Sequence, residues 1–160
     1  MKKGTLSVCC TLVTVVLLLL IVASESVAAS ENPIIDGSYL THDTESIGYD
    51  VKITRGEDLL TGYSKCVRLG PGKIYAGGST IAAHTVDSVQ IAVIVERAQK
   101  GDDAWSSYDA WQKESLNTDR VGANRTLEVE GGYYYRVRCL HAANSDMSSS
   151  FTDGVYVEDP

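Results

Sequence analysis

The sequence predicts an all-β protein: one antiparallel β-sandwich of about seven strands, preceded by an N-terminal signal helix. Three observations predict it. Beyond residue 49, apolar and polar side chains alternate in short runs. Gly, Asp and Asn cluster between the runs as turn signals. No convincing helical period lies between them. A closed barrel is the alternative arrangement of the same strands.

The leader comes first. Lys2 and Lys3 precede the uncharged apolar run Leu6 to Ala23, and small residues close the segment at Val27-Ala28-Ala29. That order fits a secretory signal cut before Ser30. The alternative is an uncleaved anchor, because residues 6–23 approach the roughly 20 apolar residues of a membrane span. Either way the basic end stays inside and Ser30 to Pro160 lies outside. The expected location is therefore secreted, or the extracellular face of the cell membrane. Cys9 and Cys10 sit at the front of the apolar run, where a lipid-anchor cysteine does not belong, and count as apolar filler.

The expected organisation is a leader over residues 1–29, an acidic flexible tail over 30–48 and the β domain over 49–160. The chain carries 14 Lys and Arg against 21 Asp and Glu, a net charge of −7. Removing Lys2, Lys3 and Glu25 with the leader leaves 12 against 20, or −8. Such a surface repels nucleic acid and anionic lipid, which excludes both as partners. A membrane is met only through an uncleaved N-terminal segment.

The runs follow in order. Residues 64–69 alternate, and Gly70-Pro71-Gly72 turns the chain. Residues 73–83 form the next strand, with Gly77 and Gly78 suggesting a bulge or close backbone approach. Residues 88–97 make the strongest strand: Val89, Ile91, Val93 and Val95 line one face, and Ala92 and Ile94 keep the other apolar. Residues 104–115 are ambiguous, because Trp105, Tyr108 and Trp111 also fall at helical spacing, but interruption by Ser and charge favours a strand. Short runs over 118–122 and 124–130 precede the turn at Gly131-Gly132. Residues 133–140 then alternate, with Tyr133, Tyr135, Val137 and Cys139 on one face and Tyr134, Arg136, Arg138 and Leu140 on the other. Residues 154–158 form the last strand.

Cys66 and Cys139 remain after the leader. An even count in an exported chain favours a disulfide. Closing a loop of about 73 residues stabilises by roughly 4 kcal/mol in the chain-entropy picture. The alternative is a pair of buried free thiols.

The stretch Leu-Glu-Val-Glu-Gly-Gly-Tyr-Tyr-Tyr-Arg-Val-Arg-Cys, residues 127–139, resembles the penultimate strand of immunoglobulin-like and fibronectin-type sandwiches. The resemblance implies an immunoglobulin-like sandwich and a corner role for Tyr135 or Tyr134. The Trp–disulfide core of antibody domains is not matched. Three further pieces resemble an uncharacterised family of small exported proteins of Gram-positive bacteria: Val86-Asp87-Ser88-Val89-Gln90-Ile91 leading to Glu96-Arg97, Trp105 to Trp111, and Gly132 to His141. That resemblance implies export and a compact β domain, and lends no activity.

Catalytic and metal signals are weak. No Gly-x-Ser-x-Gly elbow occurs. Ser79, His84 and Asp87 lie close in sequence but not in a line. Cys139 and His141 share a face about 6–7 Å apart, too far for direct proton transfer. His42, Asp43, Glu45, His84, Asp102, Asp103 and His141 fit no recognised ligand spacing. The expectation is no catalytic residue, no metal and no cofactor. Binding is the favoured role, with a protein or carbohydrate ligand. Trp and Tyr offer stiff contact area with a polar handle, so Trp105, Tyr108, Trp111, Tyr134, Arg136 and Arg138 are the candidate surface. Core burial of both tryptophans is the competing account. Arg136 and Arg138 either face solvent or pair with Glu128 and Glu130. Asn124-Arg125-Thr126 matches a glycosylation sequon, idle in a bacterial source. The alternatives to a binding module are a secreted antimicrobial or toxin-like effector, and an enzyme whose cleft holds His84 or His141 with acidic partners.

Overall fold

The computed structural model describes residues 34–35, 37–52 and 56–160. The expected signal helix lies outside them. The described chain is all-β, with no helical residue. Ten strands follow in order: β1 (Ile34–Ile35), β2 (Ser38–Thr41), β3 (Glu45–Tyr49), β4 (Val51–Lys52), β5 (Leu59–Gly70), β6 (Lys73–Ala98), β7 (Ser106–Glu128), β8 (Tyr133–Ala143), β9 (Asp146–Phe151) and β10 (Gly154–Val157). Every pairing is antiparallel except β10 with β2.

The expected seven strands in two separate sheets are corrected to ten strands in one curled, mixed sheet. The reason lies in β6 and β7, of 26 and 23 residues. Two expected strands, over 73–83 and 88–97, are halves of β6. Three expected runs between 104 and 130 are parts of β7. The β6–β7 register breaks between Ile81 and Val86 and then resumes. The polar residues His84 and Thr85 therefore mark a bend in a strand, not its end. Asn117 at φ 50° turns β7 at the matching place.

The bend divides the sheet into two facing limbs. The first holds β3, β5, residues 73–82 of β6 and residues 120–128 of β7. The second holds residues 106–118 of β7, residues 86–98 of β6, β8, β9 and β10. Between them lies one apolar core, which includes Cys66, Ile74 and Ala76 from the first limb and Val89, Ile91, Val93, Val95, Tyr135, Val137 and Cys139 from the second. Each fully buried Val or Ile contributes roughly 1.5–3 kcal/mol. Two glycines let the limbs close: a Cβ on Gly62 would collide with the His141 ring, and one on Gly78 would lie 2.8 Å from Cys139 Sγ.

The stretch expected as a flexible tail, 30–48, carries β1, β2 and most of β3. Leu40 of β2 is buried with Ala98 and Tyr134 in a second small cluster. Strands this short show no readable period in sequence, and pairing with β5 and β10 orders them.

Candidate functional site

Arg136, a candidate for the binding surface by sequence, is only 2% exposed. Its Nε donates to Glu96 Oε2 at 2.7 Å and its Nη1 to Ser38 Oγ at 2.9 Å. The guanidinium lies over the Trp105 ring at 4.7 Å and the Phe151 ring at 5.7 Å. Arg138 donates from Nη2 to the other oxygen of Glu96, also at 2.7 Å. The expected partners Glu128 and Glu130 instead meet Lys73 and Arg97. On this face the strand facing β8 is β6, which sets Glu96 directly opposite Arg136.

The remaining aromatic candidates are also committed to packing. Trp105 is half-buried as a cover over Arg136 and Gly154. Tyr134 is buried against His42 and Tyr156, with ring centroids 5.8 and 5.0 Å away. Tyr108 sets its edge on Tyr135 at 5.4 Å and donates its hydroxyl to Glu128 O at 3.2 Å. Trp111 packs on the core beneath Arg125, whose guanidinium lies 4.7 Å from its ring. The six residues therefore form no common surface. Trp105 and Trp111 each have an arginine and an apolar floor within reach, in keeping with the competing account of packed tryptophans. The corner contact falls to Tyr135, whose Oη donates to Glu130 O at 2.8 Å.

No disulfide joins Cys66 and Cys139; both are buried free thiols. Cys66 Sγ lies 3.5 Å from Tyr135 O, and Cys139 Sγ lies 3.9 Å from Gly77 O. Each thiol thus donates to a carbonyl of the opposite limb. Burial pushes both pKa values up to about 12, which leaves the thiols unreactive near neutral pH.

His141 is fully buried, between Thr80 Oγ1 at 2.8 Å from Nδ1 and Ser150 Oγ at 2.8 Å from Nε2. The Thr80 hydroxyl proton goes to Gln90 O at 2.9 Å. Nδ1 must then carry the ring proton, and Nε2 accepts from Ser150. Burial pushes the imidazole pKa down to about 4, against the opposing pull of Asp50. This is a serine–histidine contact, with Ser150 only 1% exposed. His84 instead meets Asp58 at 3.0 Å on the surface, away from any role with Ser79 and Asp87. Among the described residues no three His, Cys, Asp or Glu side chains gather as a metal site.

What the outer faces present is different. On the first limb the registers set Tyr49 opposite Tyr63, Tyr63 opposite Ser79, and Ser79 opposite Gly122. The neighbouring row runs Ile47, Lys65, Gly77, Asn124, and the next Glu45, Val67, Tyr75, Thr126. Tyr49 is 72% exposed and Ile47 42%. Tyr108, Tyr133, Tyr134, Tyr135 and Tyr156 each pack on another aromatic ring. Tyr49, Tyr63 and Tyr75 have no ring partner among the described residues. Sequence reasoning missed them, although the inward Cys66 already implied that 63, 65 and 67 face outward.

The outer face of the second limb holds a groove of about 420 Å³, with Gln90, Gln112 and Glu114 on one side and Leu140, Ala142 and Met147 on the other. Its polar side is internally bonded: Glu114 Oε1 accepts from Ser88 Oγ at 2.6 Å and from Gln90 Nε2 at 3.1 Å.

Comparison with protein-family models finds no match, and none is found among curated proteins. Among solved structures the chain is similar to the solution structure of R. palustris CsgH. Identity is 17% over 68% of this chain and 91% of that one, with a TM-score of 0.33. A likeness of that degree carries no argument about fold or function.

Proposed function

We propose that this is an exported binding module, working outside the cell or at its surface on a protein or carbohydrate ligand through the outer face of the first limb. One observation carries the reading: Tyr49, Tyr63 and Tyr75 share a continuous four-stranded face and lack the ring partners that the core-side tyrosines have. Rigid aromatic side chains with a hydroxyl tip give contact area at low entropy cost. The sequence assigned binding to Trp105, Tyr108, Trp111, Tyr134, Arg136 and Arg138. The role stays and the residues change, because those side chains are spent on internal contacts. The leader and the strongly acidic remainder support export and argue against a nucleic-acid partner.

The test is retention of the mature chain on cell-wall preparations and on panels of glycans and surface proteins. Tyr49→Ala and Tyr63→Ala should both lose retention, while Leu116→Ser on the second limb should not. Equal retention by the tyrosine variants and the parent would remove the proposal.

A further inference from the structure

We propose that two copies of this chain pack together, sheet on sheet, through the outer face of the second limb; the inference goes beyond the binding reading just given and does not depend on it. Hydrophobic patterning is the first argument. An antiparallel sheet that covers a core on one side normally turns polar side chains to water on the other. Here the outward positions of β6 hold Ala92 and Ile94, those of β8 hold Leu140 and Ala142, and those of β9 hold Met147 and Phe151. Leu140 is 40% exposed, Met147 47% and Phe151 41%. Neighbouring exposed apolar side chains of this kind mark an interaction surface.

Size complementarity is the second argument, and it selects a second copy as the occupant. The registers set Gln112, Ala92, Leu140 and Ser149 side by side in one row, and Ala110, Ile94, Arg138 and Phe151 in the next. Leu140 and Phe151 raise the β8–β9 half of the face, while Ala92 and Ala110 lower the β6–β7 half. The groove of about 420 Å³ lies over Ala92 and Ala142. A twofold axis parallel to the strands, between β6 and β8, lays Leu140 of each copy over the second copy's Ala92, and Phe151 over its Ala110. Each large side chain then meets a small one, as interdigitating faces of two sheets roughly 10 Å apart require. Leu140 and Ala92 flank the axis, so their contact survives the rotation of about 30° usual between packed sheets. Such a contact is isologous and closes at two copies.

Area is the third. The face spans β7, β6, β8, β9 and β4 in three outward rows. At about 4.8 Å between strands and about 6.8 Å between rows, its footprint is roughly 500 Å² per copy. Two copies together bury roughly 1,000 Å², the least that a specific interface needs, so the dimer should be weak, with a dissociation constant in the micromolar range. The charged groups of the face are held within each copy. Arg138 Nη2 turns to Glu96 Oε1 at 2.7 Å, and Glu114 at the border accepts from Ser88 and Gln90. The tyrosine face lies on the other side of the molecule and stays open, so the dimer presents it twice and gains avidity for a ligand with repeated sites.

The test is sedimentation velocity of the mature chain across the micromolar range. The chain should pass from monomer to dimer as concentration rises. Leu140→Glu should weaken the dimer at least roughly tenfold, the expected loss of one central apolar anchor. Leu140 lies on the surface, so that variant should keep the parent's urea midpoint. Leu140→Ala and Ala92→Leu should each weaken association several-fold, whereas the double variant, which exchanges large and small across the axis, should restore it. Tyr49→Ala should leave association unchanged. A mature chain that stays monomeric up to millimolar concentration would overturn the inference. So would a dimer indifferent to Leu140→Glu, a dimer lost with Tyr49→Ala, or a double variant no better than its two parents.

Discussion

Glu96→Ala would remove the one carboxylate that Arg136 and Arg138 share. Arg136 is the costly one: its side chain is 2% exposed, and Glu96 itself is 7% exposed. Removing one partner of a buried ion pair costs about 3–5 kcal/mol, because the remaining charge stays desolvated. The lower end applies here, since Arg136 keeps the Ser38 hydroxyl and the Trp105 and Phe151 ring faces. Arg138 adds little, because its side chain is 40% exposed and water replaces the lost anion. Against a total stability of about 5–15 kcal/mol, the loss is a large fraction. With a urea slope near 2 kcal/mol/M, the unfolding midpoint should fall by roughly 1.5 M. Breaking the exposed Lys65–Glu45 pair in the same assay should move it by less than about 0.5 M. A drop for Glu96→Ala no larger than for that surface pair would refute the burial argument.

Acid should destabilise through His141. Its folded pKa of about 4 lies below the ordinary value of 6.5. The unfolded chain therefore binds the extra proton first, and stability is lost as pH falls from about 6.5 toward 4. The full loss is about 3 kcal/mol, read from urea midpoints at pH 7.5 and 4.5. Substituting His141 by Gln should flatten that dependence; an unchanged slope would contradict the assignment. Cys66 and Cys139 should resist alkylation at pH 8 in the native mature chain, and both should label once guanidinium unfolds it. Labelling of neither after unfolding would reveal a bridge. Gly62→Ala should cost about 1–3 kcal/mol by pressing on the His141 ring, measured by thermal melting. A loss within experimental error would mean the limbs can part at no cost.

The alternation over 133–140 was legible because Tyr135, Val137 and Cys139 all point into the one apolar core. Val89, Ile91, Val93 and Val95 were legible as core for the same reason. The site was not legible. Trp105 and Arg136 look like surface binders in sequence, and they meet only because β6 brings Glu96 beneath one and the chain after it lays Trp105 on top. Tyr49, Tyr63 and Tyr75 lie on three different strands, and nothing local announces that they share a face.

By itself the sequence determined the periods: which residues beyond 64 alternate, and that those segments are strands. These follow from local rules acting over a few residues. Only the tertiary structure decided that His84 and Thr85 bend a strand instead of ending it. It also decided that each of the two cysteines is buried against a carbonyl of the opposite limb, and that Tyr49, Tyr63 and Tyr75 share one face of the first limb. Each of those outcomes depends on which side chain meets which across the curled sheet, and chain-distant contacts of that kind leave no period to read.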